Sequence, residues 1–264
     1  MTAAFDAILF DADGVVQTTD DKWWYAMTAL IGTDDEEQVK RFLRDIMAAE
    51  LPALAGRTPF VGPLAEVLAR WQVTTPAEEV LQQWQHVDVD LTVLAAIQEL
   101  RAAGLRCALA TNQHPERGAY MRENLGYDEV FDDLFYSCEL GVAKPDPAYF
   151  SEAARRLGTE PGRTLLVDDN ADNVAGAKEA GLAAELFATG GGRAELDRIL
   201  SAYADPRSGR GPRGSSRSPD THKEPPAYPK ELTYPCCRQA LGELGEVSPR
   251  EGPVAESTRS AKGR

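Results

Sequence analysis

Apolar positions fall into two regimes along the chain. From about residue 90, short apolar runs alternate with stretches whose apolar residues recur at helical spacing. That alternation predicts a parallel sheet wound with helices. The predicted strands are residues 5–10, 105–110, 135–137, 164–167 and 183–187. The helical stretches LTVLAAIQELRAAG, PERGAYMRENLG, PAYFSEAARRLG, ADNVAGAKEAG and GRAELDRILSAYA lie between and after them. Gly104, Gly126, Gly158 and Gly181 stand where helices commonly close. Residues 18–88 break the alternation: KWWYAMTALIG, EEQVKRFLRDIMAAELPALAG, VGPLAEVLARWQ and PAEEVLQQWQHV all carry apolar residues at helical spacing and contain nothing strand-like. They predict a small helical bundle inserted after the first strand. Thr58 before Pro59 and Thr75 before Pro76 read as helix starts with proline in the first turn. Trp23, Trp24, Trp71 and Trp84 all fall in the insert and read as its core.

The organisation predicted is a Rossmann-like parallel α/β core over 1–17 and 89–204, an inserted α-helical cap over 18–88, and a tail over 205–264. The tail holds 9 of the 17 prolines and only five residues among Leu, Ile, Val and Phe. That is too little apolar material to offset the entropy of ordering, so disorder is expected there. Charge divides the same way. The tail carries 11 Lys or Arg against 8 Asp or Glu, and residues 1–204 carry 17 against 34, within a formal total of −14. So acidic a body argues against sequence-independent nucleic-acid binding and against anionic membranes. MTAAFDAILF has no basic region ahead of its apolar run, which is too short for a signal peptide. Cys107, Cys138, Cys236 and Cys237 form no CxxC pair, and a reduced, cytoplasmic setting fits them. Three histidines with no close pair give a zinc mechanism little support. Nothing in the pattern sets the oligomeric state.

The chemistry gathers at predicted strand ends. Asp11 and Asp13 close the first apolar run, with Gly14 behind them. Thr111 and Asn112 close CALATN, Lys144 lies in GVAKPDP, and Asp168 and Asp169 close LLVDDN. In a parallel sheet these carboxyl ends converge on one crevice. His114, directly after TNQ, could face that crevice or serve a helix start or an exposed loop. Arg57 could reach it from a turn in the insert.

The four motifs DADGV, TN, KPDP and DDNADN, in this order, resemble those of phosphatases in the haloacid dehalogenase-like superfamily, which also carry a helical cap between the first and second motifs. The resemblance covers residues 1 to about 204. It implies hydrolysis of a small phosphorylated metabolite, with Asp11 as nucleophile and Asp13 as general acid and base. It implies Mg²⁺ held by Asp11, the Asp13 backbone carbonyl and Asp169, with Asp168 and Asn173 behind them. Lys144 would add positive charge beside Asp11, and Thr111 with the Asn112 backbone N–H would bind the phosphoryl oxygens. Asp13 separates this reading from the dehalogenases, which lack a carboxylate there. The cap's lysines, Lys22 and Lys40, leave the phosphonate hydrolases as a weaker match. A phosphomutase, which keeps all four motifs, stays open. A binding protein that had lost the chemistry would show damage at Asp11, Asp13, Lys144 or Asp169, and none is seen.

Overall fold

The computed structural model describes residues 4–19, 21–33 and 35–203, so the tail predicted for 205–264 lies outside the described residues. Five strands form one parallel sheet: β1 (Ala7–Phe10), β4 (Arg106–Thr111), β5 (Asp133–Tyr136), β6 (Thr164–Asp168) and β7 (Ala183–Leu186). Their order is β5-β4-β1-β6-β7, which puts β1 at the centre. Both neighbours of β1 pair along its whole length, Phe10 standing opposite Leu109 on one side and Val167 on the other. The strand is therefore buried on both faces, which is why its sequence is an unbroken apolar run.

Alternate residues of these strands feed two cores. Ile8, Phe10, Leu109, Leu165 and Val167 pack with Val93 and Ile97 of α5 (Leu91–Ala102) and Leu196 and Ile199 of α11 (Gly192–Ser201). Ala7, Leu9, Ala108, Ala110 and Leu166 face the other way, against Phe150 and Ala153 of α9 (Pro147–Leu157) and Val174 and Ala177 of α10 (Ala171–Glu179). The two-residue period of the strands thus divides the apolar side chains between two helical layers. Three further helices, α6 (Pro115–Asn124), α7 (Tyr127–Val130) and α8 (Ser137–Leu140), follow β4 and β5. The glycines predicted at helix ends, Gly104, Gly126, Gly158 and Gly181, all have positive φ.

Between β1 and β4 the chain forms α1 (Asp21–Ile31), α2 (Glu36–Leu54), α3 (Val61–Arg70), α4 (Ala77–Leu81) and a 3₁₀ turn at Gln82–Gln85. Their own apolar cluster contains Trp23, Met27, Phe42, Ile46, Phe60, Leu64 and Trp84, with Trp24 and Trp71 packed against it.

Among the differences from the sequence reading, three stand out. The insert is not free of strand: β2 (Gln17–Thr19) and β3 (Val87–Val89) pair as an antiparallel ribbon at its two ends. Strands of three residues are too short to display alternation. Neither Thr58 nor Thr75 caps a helix; α3 starts from Phe60 and α4 from Pro76. Glu116 of α6 instead accepts from the Phe60 and Val61 backbone N–H groups at 3.0 and 3.3 Å. A carboxylate from another element has replaced the local cap. The third difference is β5, which begins at Asp133 and ends before Ser137, the residue that opens α8.

Candidate active site

The carboxyl ends of β1, β4 and β6 lie side by side at the point where the strand order departs from β1 in both directions. Asp11 immediately follows β1, Thr111 ends β4 and Asp168 ends β6. Lys144 arrives from the loop before α9. Its Nζ lies 2.9 Å from Asp11 Oδ1 and 2.7 Å from Asp168 Oδ2, and donates to the Ala110 carbonyl at 2.8 Å. Asn112 fixes that loop by a two-way exchange: its Nδ2 donates to the Lys144 carbonyl and its Oδ1 accepts from the Lys144 N–H.

Asp11, Asp168 and Asp169 bring carboxylate oxygens within 4.8 Å of one another. So much negative charge in a buried place is costly. Burial first, and then the Asp168 charge, push the Asp11 carboxyl well above the usual range despite Lys144. The same two causes raise Asp169. Lys144 is pulled toward its neutral form by burial, but the charges of Asp11 and Asp168 prevail and raise it.

The neighbouring aspartates are held differently. Asp168 accepts from Asn173 Nδ2 at 3.0 and 3.1 Å, from the Asn170 N–H at 2.9 Å and from Lys144. Asp169 receives the Thr189 hydroxyl at 3.1 Å on Oδ2, while its Oδ1 is buried with no hydrogen-bond partner. Gly14 explains how Asp169 comes so near the first loop. Its φ is +89°, and a Cβ there would stand 2.1 Å from Asp169 Oδ2.

Asp13 sits in the same crevice but in a different setting. Arg117 Nη1 and Nη2 grip its two oxygens at 2.8 Å each, Gln17 Nε2 donates to Oδ1 at 2.9 Å, and Gln113 Nε2 donates to Oδ2 at 3.0 Å. Burial alone would raise this carboxyl, yet the Arg117 charge and the three donor side chains hold it below the usual range. Gln113 also donates to the Thr111 hydroxyl at 2.9 Å, joining the end of β4 to Asp13.

Every site residue expected from the sequence therefore lies in or against one crevice: Asp11, Asp13, Thr111, Asn112, Lys144, Asp168, Asp169 and, behind Asp168, Asn173. The residues not foreseen are Gln17, Gln113, Arg117 and Thr189. The sequence marks two of them by position alone, Gln113 directly following the TN motif and Arg117 lying in the first turn of α6. His114 stands at the N-cap of α6 and is 1% exposed, so the exposed-loop alternative is excluded. Its Nδ1 lies 3.0 Å from Glu116 Oε2 and its Nε2 3.8 Å from Glu50 Oε1 of the bundle. Arg57 is exposed, in the bend between α2 and α3. Cys107 is a buried sheet residue whose thiol burial raises to about 12, so it is inert. Among the described residues, no helix is long and apolar enough to cross a membrane.

Known proteins resemble this chain in sequence and in fold. The chain is 34% identical over 91 residues to a glyceraldehyde 3-phosphate phosphatase of Methanopyrus kandleri, an alignment spanning 34% of this chain and 39% of that protein. It is 24% identical over 181 residues to a phosphorylated carbohydrates phosphatase of Thermotoga maritima, spanning 67% of this chain and 82% of that one. A solved structure of a haloacid dehalogenase family enzyme from Bacteroides thetaiotaomicron, in complex with magnesium and inorganic phosphate, superposes with a TM-score of 0.59 at 18% identity. That match covers 70% of this chain and 96% of the other, a likeness of fold. The haloacid dehalogenase-like hydrolase model matches residues 5–181, which include the central strand, the inserted bundle and all four strand-end motifs, and the chain belongs to that family.

Proposed function

We propose that the protein is a Mg²⁺-dependent phosphatase of small phosphate monoesters that works through an aspartyl phosphate on Asp11. One observation carries the reading: Lys144 Nζ stands between Asp11 and Asp168, in a buried crevice where a third carboxylate, Asp169, has an oxygen without a partner. The donor set suits a hard divalent cation, being all oxygen and carrying more negative charge than Lys144 offsets. Asp11, the Asp13 backbone carbonyl and Asp169 would hold it. Asp168, with its oxygens engaged by Lys144, Asn173 and the Asn170 N–H, is better placed to orient Lys144 than to bind metal. Bound there, Mg²⁺ supplies positive charge against the phosphoryl group and relieves the repulsion among these carboxylates.

Asp11 attacks phosphorus, so an Asp11 O–P bond forms as the ester P–O bond breaks. Repulsion between one charge on the nucleophile and one on the ester is worth about 4 kcal/mol at 4 Å and an effective dielectric of ~20. Lys144 offsets part of it from 2.9 Å. The Thr111 hydroxyl and the Asn112 N–H hold the transferring oxygens. Asp13, held below the usual carboxylate range by Arg117, takes up a proton as the negative charge of the ester enters beside it, gives that proton to the departing oxygen, then takes one from the water that opens the acyl phosphate and restores Asp11. The relatives named for glyceraldehyde 3-phosphate and phosphorylated carbohydrates direct the substrate search to small phosphorylated metabolites.

The test is p-nitrophenyl phosphate hydrolysis with Mg²⁺, with a chelator and after Mg²⁺ is restored, beside Asp11→Asn. Activity should vanish with the chelator and return with Mg²⁺, and Asp11→Asn should lose at least ~10³-fold in kcat. Metal-independent turnover, or an active Asp11→Asn, would overturn the reading. A panel of phosphorylated metabolites then identifies the substrate.

A further inference from the structure

Asp168 and Asp169 are adjacent, yet donors of different charge hold them. Asp168 Oδ2 has a cation beside it, Lys144 Nζ at 2.7 Å. Asp169 Oδ2 receives a neutral donor, the Thr189 hydroxyl, at 3.1 Å. A cation on Asp169 would offset the charge that draws a metal, whereas a hydroxyl orients the carboxylate and leaves that charge whole. Gly14 bounds the same oxygen, since a Cβ there would stand 2.1 Å from it. Oδ1 is buried with no hydrogen-bond partner. The two oxygens are chemically equivalent, so what the hydroxyl sets is the plane of the carboxyl group, and with it the direction of the lone pairs on Oδ1.

The segment that carries Thr189 is fixed at both ends. The Phe187 N–H donates to the Asp168 carbonyl at 2.9 Å, which ties the chain leaving β7 to the end of β6, one residue before Asp169. Beyond Thr189, the Gly191 N–H closes a turn on the Ala188 carbonyl at 2.8 Å, and the Ala188 N–H donates to Glu195 of α11 at 3.3 Å. The hydroxyl is therefore presented by a loop anchored on the sheet and on a helix, although Thr189 itself is exposed.

We propose that Thr189 is a positioning residue for metal binding: its hydroxyl fixes the plane of the Asp169 carboxylate and so presents Oδ1 to the cation. The inference rests on the phosphatase reading, which places Mg²⁺ at Asp169. Thr189 acts through Asp169 and touches neither metal nor substrate. Residues that orient a metal ligand commonly set its affinity.

The experiment measures metal binding directly. The full chain, stripped of metal with a chelator, is titrated with Mn²⁺, which shares the oxygen preference of Mg²⁺ and whose free ion is counted by electron paramagnetic resonance. Wild type, Thr189→Val, Thr189→Ser, Asp169→Asn and the double variant Thr189→Val with Asp169→Asn are compared. Thr189→Val keeps the shape of the side chain without its donor and should raise the Mn²⁺ Kd by roughly 10-fold, the low end for a residue behind a ligand because this one is exposed. Thr189→Ser restores the hydroxyl and should bring the Kd back to within about threefold of wild type. With Asp169→Asn in place, Thr189→Val should change the Kd by less than about twofold, since the ligand it serves is gone. A Thr189→Val protein that melts lower without metal yet binds Mn²⁺ as wild type does would mark a purely structural contact and overturn the proposal. An undiminished Thr189→Val effect beside Asp169→Asn would overturn it too. A wild-type chain that binds no Mn²⁺ would instead refute the metal site, and the phosphatase reading would fall together with the proposal. Thr189→Ala removes the same donor with less bulk, must show the same loss, and decides the matter should Thr189→Val disturb the loop.

Discussion

Asp168 accepts hydrogen bonds from Lys144, Asn173 and the Asn170 N–H, whereas Asp169 has the Thr189 hydroxyl on one oxygen and nothing on the other. In the proposed mechanism the first aims a cation and the second awaits one. Asp169→Asn should therefore raise the Mg²⁺ concentration for half-maximal activity by at least ~10-fold. Asp168→Asn should leave that concentration within about threefold while kcat falls by ~10²-fold, because Lys144 loses the partner that holds it toward Asp11. Mg²⁺ titrations of the two variants check both, and interchanged outcomes would reverse the assignment. At this scale the sequence was most informative where chemistry sits at strand ends. Asp11, Thr111, Lys144 and Asp169 could be picked out because parallel strands bring their carboxyl ends together regardless of distance along the chain. The grip on Asp13 was not legible, since it joins residues 13 and 117 through the packing of α6, which no local pattern encodes.

Between elements, the junction of α6 with α3 combines capping and charge. Glu116 accepts the backbone N–H groups at the start of α3 and lies beside the His114 ring. Burial works against this carboxylate, yet the His114 hydrogen bond and the backbone donors bring it from 4.5 down to about 2. A depressed carboxyl contributes stability above its unfolded value and loses it as pH falls toward the folded one. The window here runs from about 4.5 down to about 2. Glu116→Gln should cost ~0.5–1 kcal/mol at pH 7, a figure kept small because the side chain is 30% exposed. The difference from wild type should close as pH falls through that window, as followed in urea unfolding. A gap independent of pH would mean that shape rather than charge joins the helices. This junction also explains why α3 was misplaced from sequence. Thr58 has the chemistry of a cap, but the carboxylate that serves the helix comes from 56 positions away. The ribbon of β2 and β3 was missed for a related reason, as its pairing closes the whole insert and leaves only three residues a side to show it.

The whole molecule has two apolar bodies, the sheet with its helical layers and the inserted bundle, meeting across a polar seam of Arg117, Glu116 and His114. Their alternating and non-alternating patterns were readable along the chain, because each follows from the period of its own elements. How firmly one body follows the other depends on the seam. The four tryptophans, Trp23, Trp24, Trp71 and Trp84, all lie in the bundle, whereas the carboxylate cluster belongs to the sheet. Tryptophan fluorescence therefore reports the body that would not hold the metal. Mg²⁺ at 100 times its dissociation constant stabilises the state that binds it by ~2.7 kcal/mol. For a domain of this size that corresponds to roughly 5–10 °C in Tm. If the seam makes one cooperative unit, the fluorescence transition should rise by this amount with Mg²⁺, in step with circular dichroism, and Asp169→Asn should remove the rise from both. A fluorescence transition indifferent to Mg²⁺, beside a dichroism transition that moves, would show that the bundle unfolds on its own and that the Arg117 contact to Trp84 is too weak to carry the coupling.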